Sequence, residues 1–213
     1  MTGHQQGWLL PTTLLLSTFY APVDAHMGMW HPSVYGFSQT YYELVTPLSN
    51  KSFSEWWFHG YANDTPASVM KIVPGSDLTV EIACSKGPTT YGLEPSKEAC
   101  PSNAGAYHAG GKTGSATGWN GNNQNDLTGC ALAIAYKPNA KSTNPEDFIV
   151  MSTQKDCVRQ RDTTFAIPAN MPACPDGECT CAWFWQGKDS YNEMVPFASS
   201  LCHLICAHAV YSA

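Results

Sequence analysis

The hydrophobic and polar residues of this chain alternate over short stretches, and no long segment follows the roughly 3.6-residue period of a helix. Residues 78–83 alternate as in a strand with one buried face, and residues 131–136 form a short apolar run typical of a buried strand. Three further stretches have strand composition: 148–151, 163–167 and 180–185. Because segments rich in Pro, Gly, Asn and Ser separate them, the pattern predicts an all-β fold, an antiparallel β-sandwich.

Composition narrows the function classes. The 213 residues allow one domain with a sizeable core, and we find no internal repeat and no linker. Charged residues make up only 13% and the net charge is −6 without any basic run, which excludes nucleic acid and anionic membranes as expected partners. Aromatic residues reach 12%, with seven tryptophans. Most of these should lie in the core, but an aromatic, weakly charged surface also suits carbohydrate.

The amino-terminal end has the pattern of a secretory signal peptide. An apolar run at residues 8–16 precedes Val23-Asp-Ala25, which has the small-x-small form of a signal peptidase site. We therefore expect residues 1–25 to be removed and the protein to be secreted. No later apolar run approaches the roughly 20 residues that cross a membrane.

Cleavage after Ala25 would make His26 the first residue and change its chemistry. The free α-amine and the imidazole Nδ1 of one histidine can then chelate a metal together. One more imidazole would complete a three-nitrogen, T-shaped site, an arrangement that suits Cu(II). By itself, a histidine at this position also fits a protein that happens to begin there.

Several segments carry a resemblance to a known family. They are His26-Met-Gly-Met-Trp-His31 with Pro32-Ser-Val-Tyr-Gly-Phe37, Glu55-Trp-Trp-Phe-His-Gly60, Glu81-Ile-Ala-Cys-Ser-Lys-Gly87, Gly129-Cys-Ala-Leu-Ala-Ile-Ala-Tyr-Lys137, Pro145-Glu-Asp-Phe148, and residues 171–174 with 179–185. Together they resemble fungal lytic polysaccharide monooxygenases of auxiliary activity family 14, from His26 to about Met194.

The resemblance implies an immunoglobulin-like sandwich with one copper on a flat face. It implies that the His26 amine, His26 Nδ1 and His108 Nε2 hold the metal. Reduced by an external electron donor, such a copper uses O₂ or H₂O₂ to remove hydrogen from a sugar C1 or C4, and the glycosidic bond then breaks. The substrate class it implies is xylan coating cellulose, and we expect a monomer.

Three histidines have simpler readings as well. His108 lies among small residues in Ala104-Gly-Ala-Tyr-His-Ala-Gly-Gly111, where a solvated loop residue is the simpler interpretation without the family. For His31 we predict packing or hydrogen bonding beside the amino terminus, since Pro32 keeps the backbone extended. His59 lies among aromatic residues, and we predict a strand there, with His59 as a satisfied histidine of the core or the sheet.

Nine cysteines in a secreted chain indicate disulfides. Sequence proximity and the resemblance together pair Cys84 with Cys100, Cys130 with Cys157, and Cys174 with Cys179. Cys181 is left over. It would pair with Cys202 or Cys206, or stay free.

The end of the chain departs from the family, which typically continues as Glu-Met-Tyr-Met-Asn-Gly-Phe, with the tyrosine as axial group on copper. Here Val195 follows Glu193-Met194. An unspliced intron would produce this break, and genuine divergence is the alternative. We therefore predict a catalytic domain at residues 26–194, an aberrant tail at 195–213, no axial tyrosine and a missing final strand.

Asn50 begins an N-glycosylation sequon, and Asn63 begins one weakened by Pro66.

Two other functions fit the sequence. Secreted histidine-brace proteins can bind copper for homeostasis without cutting sugars, although such relatives commonly add an acidic ligand and a membrane anchor. A carbohydrate-binding or structural sandwich without metal is the second alternative. We find no pair of carboxylates that would indicate a glycoside hydrolase.

Overall fold

A computed structural model of the chain describes residues 27–37, 48, 51–101, 128–187 and 192–201. The predicted signal peptide, His26, His108 and the sequon at Asn50 lie outside these ranges. One helical turn, α1 (Phe53–Trp56), and four short 3-10 helices occur within them, the first of which, Trp57–Gly60, follows α1 directly. The strands are β1 Gly28–Trp30, β2 Met70–Ile72, β3 Asp77–Ala83, β4 Cys130–Ala135, β5 Ile149–Gln154, β6 Asp162–Ala166, β7 Cys179–Gln186 and β8 Asn192–Leu201. The other 3-10 helices are Ala140–Ser142, Pro145–Asp147 and Pro175–Gly177.

The strands form two sheets, one of three strands in the order β1-β3-β6 and one of five in the order β2-β8-β7-β4-β5. Neighbouring strands are antiparallel, except that β2 pairs with β8 in parallel. The predicted all-β sandwich is therefore confirmed, with one parallel pair that the sequence did not indicate.

The core lies where alternating side chains of both sheets meet. In β3, Val80 and Ile82 are buried while Asp77 and Thr79 face solvent. Burial of such side chains drives the packing, at about 25 cal/mol per Å² of apolar surface. Large, fully buried residues of the main core cluster come from both sheets and include Trp30, Ile82, Phe165, Leu132, Ile134, Trp183 and Phe197.

Each of the five strand predictions falls on an observed strand: β3, β4, β5, β6 and β7. The sequence missed β1 and β2, which have three residues each and are too short to show a period. It also missed α1, whose capping box joins the Ser52 backbone N–H to Glu55 Oε2 at 2.8 Å.

The prediction of a missing final strand is wrong, because β8 continues from Asn192 through Met194 to Leu201 and lies between β2 and β7 in the five-stranded sheet. Val195, Phe197 and Leu201 alternate along it and are buried in the main core. No sheet edge is left unpaired where the sequence led us to expect one. Whether the residues after Met194 come from an unspliced intron stays a prediction.

A proline occupies the middle of β8 without interrupting the ladder to β7. The Pro196 carbonyl accepts a hydrogen bond from the Tyr35 backbone N–H. Ala198, two residues further along β8 and therefore facing the same way, donates its N–H to the Ser33 carbonyl. Because the N and O of one residue point to the same side of a strand, the missing N–H of Pro196 also faces away from β7. The strand therefore keeps its hydrogen bonds to β7 despite the proline.

Three disulfides hold the described part of the chain, Cys84–Cys100, Cys130–Cys157 and Cys174–Cys179, which are the predicted pairs. Cys181 carries a buried thiol. In the described ranges, no helix has both the length and the hydropathy needed to cross a membrane.

Candidate functional site

The segment that follows His26 is held firmly in the fold. Met27 and Met29 are fully buried and Trp30 is 1% exposed. β1 pairs with β3, and the Trp30 indole N–H donates to the Ala83 carbonyl at 2.9 Å. The chain therefore enters the described structure at Met27 through a rigid, buried strand, although His26 itself lies outside the described residues.

The next residues tie this segment to β8. The Ser33 backbone N–H donates to His31 Nδ1 at 3.1 Å, so this nitrogen carries no proton and also accepts from the Ser33 hydroxyl at 2.7 Å. Burial lowers the pKa of His31, partly opposed by the carboxylate of Glu81. Val34 forms a bridge with Phe197 of β8. His31 thus makes hydrogen bonds beside the amino-terminal segment, as predicted.

His59 does not lie on a strand, contrary to our prediction. It belongs to the 3-10 helix Trp57–Gly60, where Phe58 and His59 have φ values of 55° and 50°. Two consecutive residues with side chains in the left-handed region store strain of about 1–3 kcal/mol each, a feature often found near functional sites. This turn aims the imidazole at the amino-terminal end of β8.

The imidazole of His59 meets a buried carboxyl group there. His59 Nε2 lies 2.9 Å from the Met194 carbonyl oxygen and 3.0 Å from Glu193 Oε1. One N–H can serve only one of these acceptors, and its direction favours the carbonyl, since neither Glu193 oxygen has a hydrogen-bond partner. The side chains of His59 and Glu193 are only 2% and 0% exposed.

Burial dominates the chemistry of Glu193. Loss of solvation raises its pKa to about 7, although His59, Lys51 and the Met194 backbone all favour the charged form. His59 Nδ1 is also buried without a partner. Among the described residues, this pair is where buried polar groups are least satisfied.

A cleft of about 810 Å³ opens beside Glu193, at one end of the five-stranded sheet. This volume falls in the range of roughly 300–1,000 Å³ that is usual for ligand sites. Its described lining comes from α1 and from β4, β5, β7 and β8, and includes Trp56, Ala131, Thr153, Phe184 and Gln186.

The copper ligands predicted from the sequence, His26 and His108, lie outside the described residues. Within residues 27–37, 48, 51–101, 128–187 and 192–201, no three His, Cys, Asp or Glu side chains come together as a metal site would require. Val195, at the position of the expected axial tyrosine, is fully buried opposite Trp183 and offers no donor atom.

Sequence reasoning missed both the role of Glu193 and the cleft. Glu193 lies at the second position of β8, and residues 193–199 are buried without interruption. The segment therefore shows no clear alternation that would have marked Glu193 from the sequence.

The fold defines a disulfide-stapled β-sandwich, and comparison with known proteins gives the family. The model of the family "Lytic polysaccharide monooxygenase AA14" matches residues 9–205. The chain therefore belongs to the AA14 family of lytic polysaccharide monooxygenases. The match continues past Met194 and covers all of β8.

The chain is similar to other proteins that carry the name of this family. It is 35% identical to the AA14 family lytic polysaccharide monooxygenase B of Pycnoporus cinnabarinus, over 92% of this chain and 54% of that protein. It is 33% identical to the corresponding B protein of Trametes coccinea (strain BRFM310), over 92% of this chain and 48% of that one. The chain thus spans about half the length of these relatives.

Several solved structures are also similar to the chain, and two of them serve as examples. Copper-bound CelS2, a cellulose-active lytic polysaccharide monooxygenase, aligns with a TM-score of 0.38 and 13% identity, over 67% of this chain and 58% of that one. Bacillus amyloliquefaciens CBM33 with Cu(I) aligns with a TM-score of 0.38 and 11% identity, over 83% of this chain and 100% of that one. The family assignment does not rest on these alignments.

Proposed function

We propose that this protein is a secreted, copper-dependent monooxygenase that oxidatively cleaves glycosidic bonds in plant cell-wall polysaccharide, with xylan on cellulose as substrate. The observation that carries the proposal is the family match, which spans His26 and His108 together. The relatives at 33–35% identity are named as monooxygenases of the same family.

The nominated donors fit copper by their chemistry. A terminal amine and two imidazoles supply three nitrogen ligands, which Cu(II) prefers to the oxygen ligands chosen by Mg²⁺ or Ca²⁺. We assign one copper to His26 and His108. Copper bound there would supply oxidation of a sugar C1 or C4 with O₂ or H₂O₂ and an external electron donor.

The described residues would support this chemistry by holding the chain rigid. Burial of Met27, Met29 and Trp30 restrains the segment joined to His26, so little conformational entropy remains to be lost when the brace closes. Val195 offers no axial donor, and we therefore expect lower turnover than in relatives with the tyrosine. We also propose that residues 1–25 are a signal peptide, that residues 26–194 are the catalytic domain and that residues 195–213 are an altered tail.

An oxidation assay tests the activity. Copper-loaded protein beginning at His26, given a reductant and H₂O₂, should release oxidised oligosaccharides from xylan-bearing cellulose, seen by mass spectrometry. A second protein carrying the family's Glu-Met-Tyr-Met-Asn-Gly-Phe ending should release more. If copper binds but neither protein oxidises any polysaccharide, the protein is a copper carrier instead. Saccharide binding that is unaffected by copper, without oxidation, would favour a carbohydrate-binding sandwich.

A further inference from the structure

We propose that the cleft on the five-stranded sheet binds a short stretch of a neutral polysaccharide chain, as a saccharide site that needs no copper. Its floor is a trough on one face of the sheet, and it has an aromatic wall and a polar wall. The choice of sugar rests on the proposed function, while the existence of the site rests on the cleft alone.

The floor of the cleft is one row of register partners across four strands. Thr153 of β5 lies opposite Ala131 of β4, Ala131 opposite Phe184 of β7, and Phe184 opposite Met194 of β8. Register partners share a face of the sheet, so these four side chains stand side by side. Ala131 is the smallest of them, and its methyl group leaves a depression between Thr153 and Phe184.

Aromatic rings form one wall and continue away from the cleft. Trp56 and Phe184 line the cleft and are each partly exposed. Phe184 contacts Phe148 at a ring-centroid distance of 5.7 Å, and Trp56 contacts Phe53 at 5.0 Å. Phe53 is 53% exposed, so part of its ring faces solvent. Flat apolar faces of this kind match the C–H faces of a pyranose ring.

Hydroxyl and amide groups form the polar wall. Thr128 and Gln186 line the cleft and are exposed, and Thr153 of the floor adds a further exposed hydroxyl. Such groups both donate and accept hydrogen bonds, as sugar hydroxyls do. An apolar peptide would leave several of them unpaired, whereas a saccharide would not.

The charges of the cleft favour a ligand without charge. Among its described lining residues, only Lys51, Lys155 and Glu193 are ionisable. The Glu193 carboxyl is fully buried and its raised pKa keeps it partly protonated near neutral pH. The Coulomb field of Lys51 reaches this carboxyl. Lys51 and Lys155 are the remaining charges of the described lining, and no group of carboxylates stands there that would select a basic ligand.

The walls are built before any ligand arrives. The capping box of Ser52 and Glu55 fixes the turn that presents Trp56. Thr128 Oγ1 donates to the Gln186 carbonyl, which joins two parts of the rim. The Cys130–Cys157 disulfide ties the start of β4 to the turn after β5. Preorganised walls lose little entropy on binding, which favours even a weak ligand such as a sugar.

Calorimetric titration of the metal-free, full-length protein tests the proposal. The probes are soluble hexasaccharides of β-1,4-linked xylose and of β-1,4-linked glucose. We expect saturable binding that quenches or shifts tryptophan fluorescence and barely changes between about 50 mM and 500 mM salt, because screening affects only charged contacts. Trp56→Ala should weaken binding about tenfold or more, as truncation of a central aromatic contact does. Ala131→Leu, which removes no contact and only fills the trough, should weaken it similarly.

Tyr91→Ala is the matched control, since Tyr91 is 40% exposed and lines no part of the described cleft. It should bind the sugars as the wild type does. Absence of saturable binding in folded wild-type protein overturns the proposal. So does binding that Ala131→Leu leaves unchanged, that Tyr91→Ala abolishes, or that appears only with copper. Because the titration uses metal-free protein, a failed oxidation assay leaves its result intact.

Discussion

His59 Nε2 and Glu193 Oε1 lie 3.0 Å apart with both side chains almost completely buried, yet the histidine N–H points to the Met194 carbonyl instead. The carboxyl group is therefore removed from water without gaining a hydrogen bond. An unpaired buried charge is costly, and protonation is the usual escape. Glu193 is thus the described residue whose protonation should matter most for stability.

Glu193 should make the protein less stable as the pH rises through neutrality. Its pKa is about 7 in the folded protein, against an unperturbed value of 4.5. Between these two pH values the folded state keeps a proton that the unfolded state has lost. This contribution is fully present below about pH 4.5 and disappears as the pH rises through 7, and the shift corresponds to roughly 3 kcal/mol.

Glu193→Gln, which cannot ionise, should therefore gain stability relative to the wild type as the pH increases from 5 to about 8. Denaturant unfolding of both proteins across this range measures the difference. Glu94→Gln, at an exposed position, is the control and should keep a constant offset. A difference for Glu193→Gln that does not change with pH would show that the carboxyl group is not perturbed.

Phe197→Ala should lower the free energy of unfolding by about 3–5 kcal/mol, because Phe197 is fully buried and its loss leaves a cavity. Ser200→Ala, on the same strand but only partly buried, should change it by about 0.5 kcal/mol or less. Equilibrium unfolding in urea compares them. If Phe197→Ala costs no more than Ser200→Ala, residues 195–201 are not part of the sheet in solution.

The Cys181 thiol should resist alkylation in the folded protein. It is fully buried, its Sγ lies 2.9 Å from Ser199 Oγ, and burial raises its pKa to about 12, so the reactive thiolate is scarce. Iodoacetamide labelling followed by mass spectrometry of the Cys181 peptide should show modification only after unfolding. If unfolding without reductant still gives no label, Cys181 is paired with Cys202 or Cys206.

Copper should bind through His26 and His108 and give a nitrogen-rich, tetragonal electron paramagnetic resonance spectrum. Adding Met-Ala before His26 removes the free amine from the chelate, so most of the affinity should be lost. His108→Ala should weaken binding more than His31→Ala, because His31 Nδ1 already accepts two hydrogen bonds. Equal affinity of the extended protein, or a larger effect at His31, would contradict the ligand assignment.

Local patterns predicted the strand-forming segments with clear alternation, and sequence proximity together with the family resemblance predicted the disulfide pairs. The period of two in β3 and the apolar run in β4 are local patterns, and a strand's buried face follows directly from them. The family resemblance likewise depends on local segments, which is why it could be stated before any geometry was known.

The role of Glu193, the turn at His59 and the floor of the cleft follow from how the strands assemble and could not be predicted from local patterns. Phe58 and His59 adopt the left-handed backbone conformation although neither is a glycine, so the sequence gives no sign of it. The conformation persists because the surrounding packing holds it. The row from Thr153 to Met194 depends on the register of four strands, which no single segment of sequence specifies. Burial without a hydrogen-bond partner is a property of the assembled core. It shifts the titration of the Glu193 carboxyl group toward neutral pH.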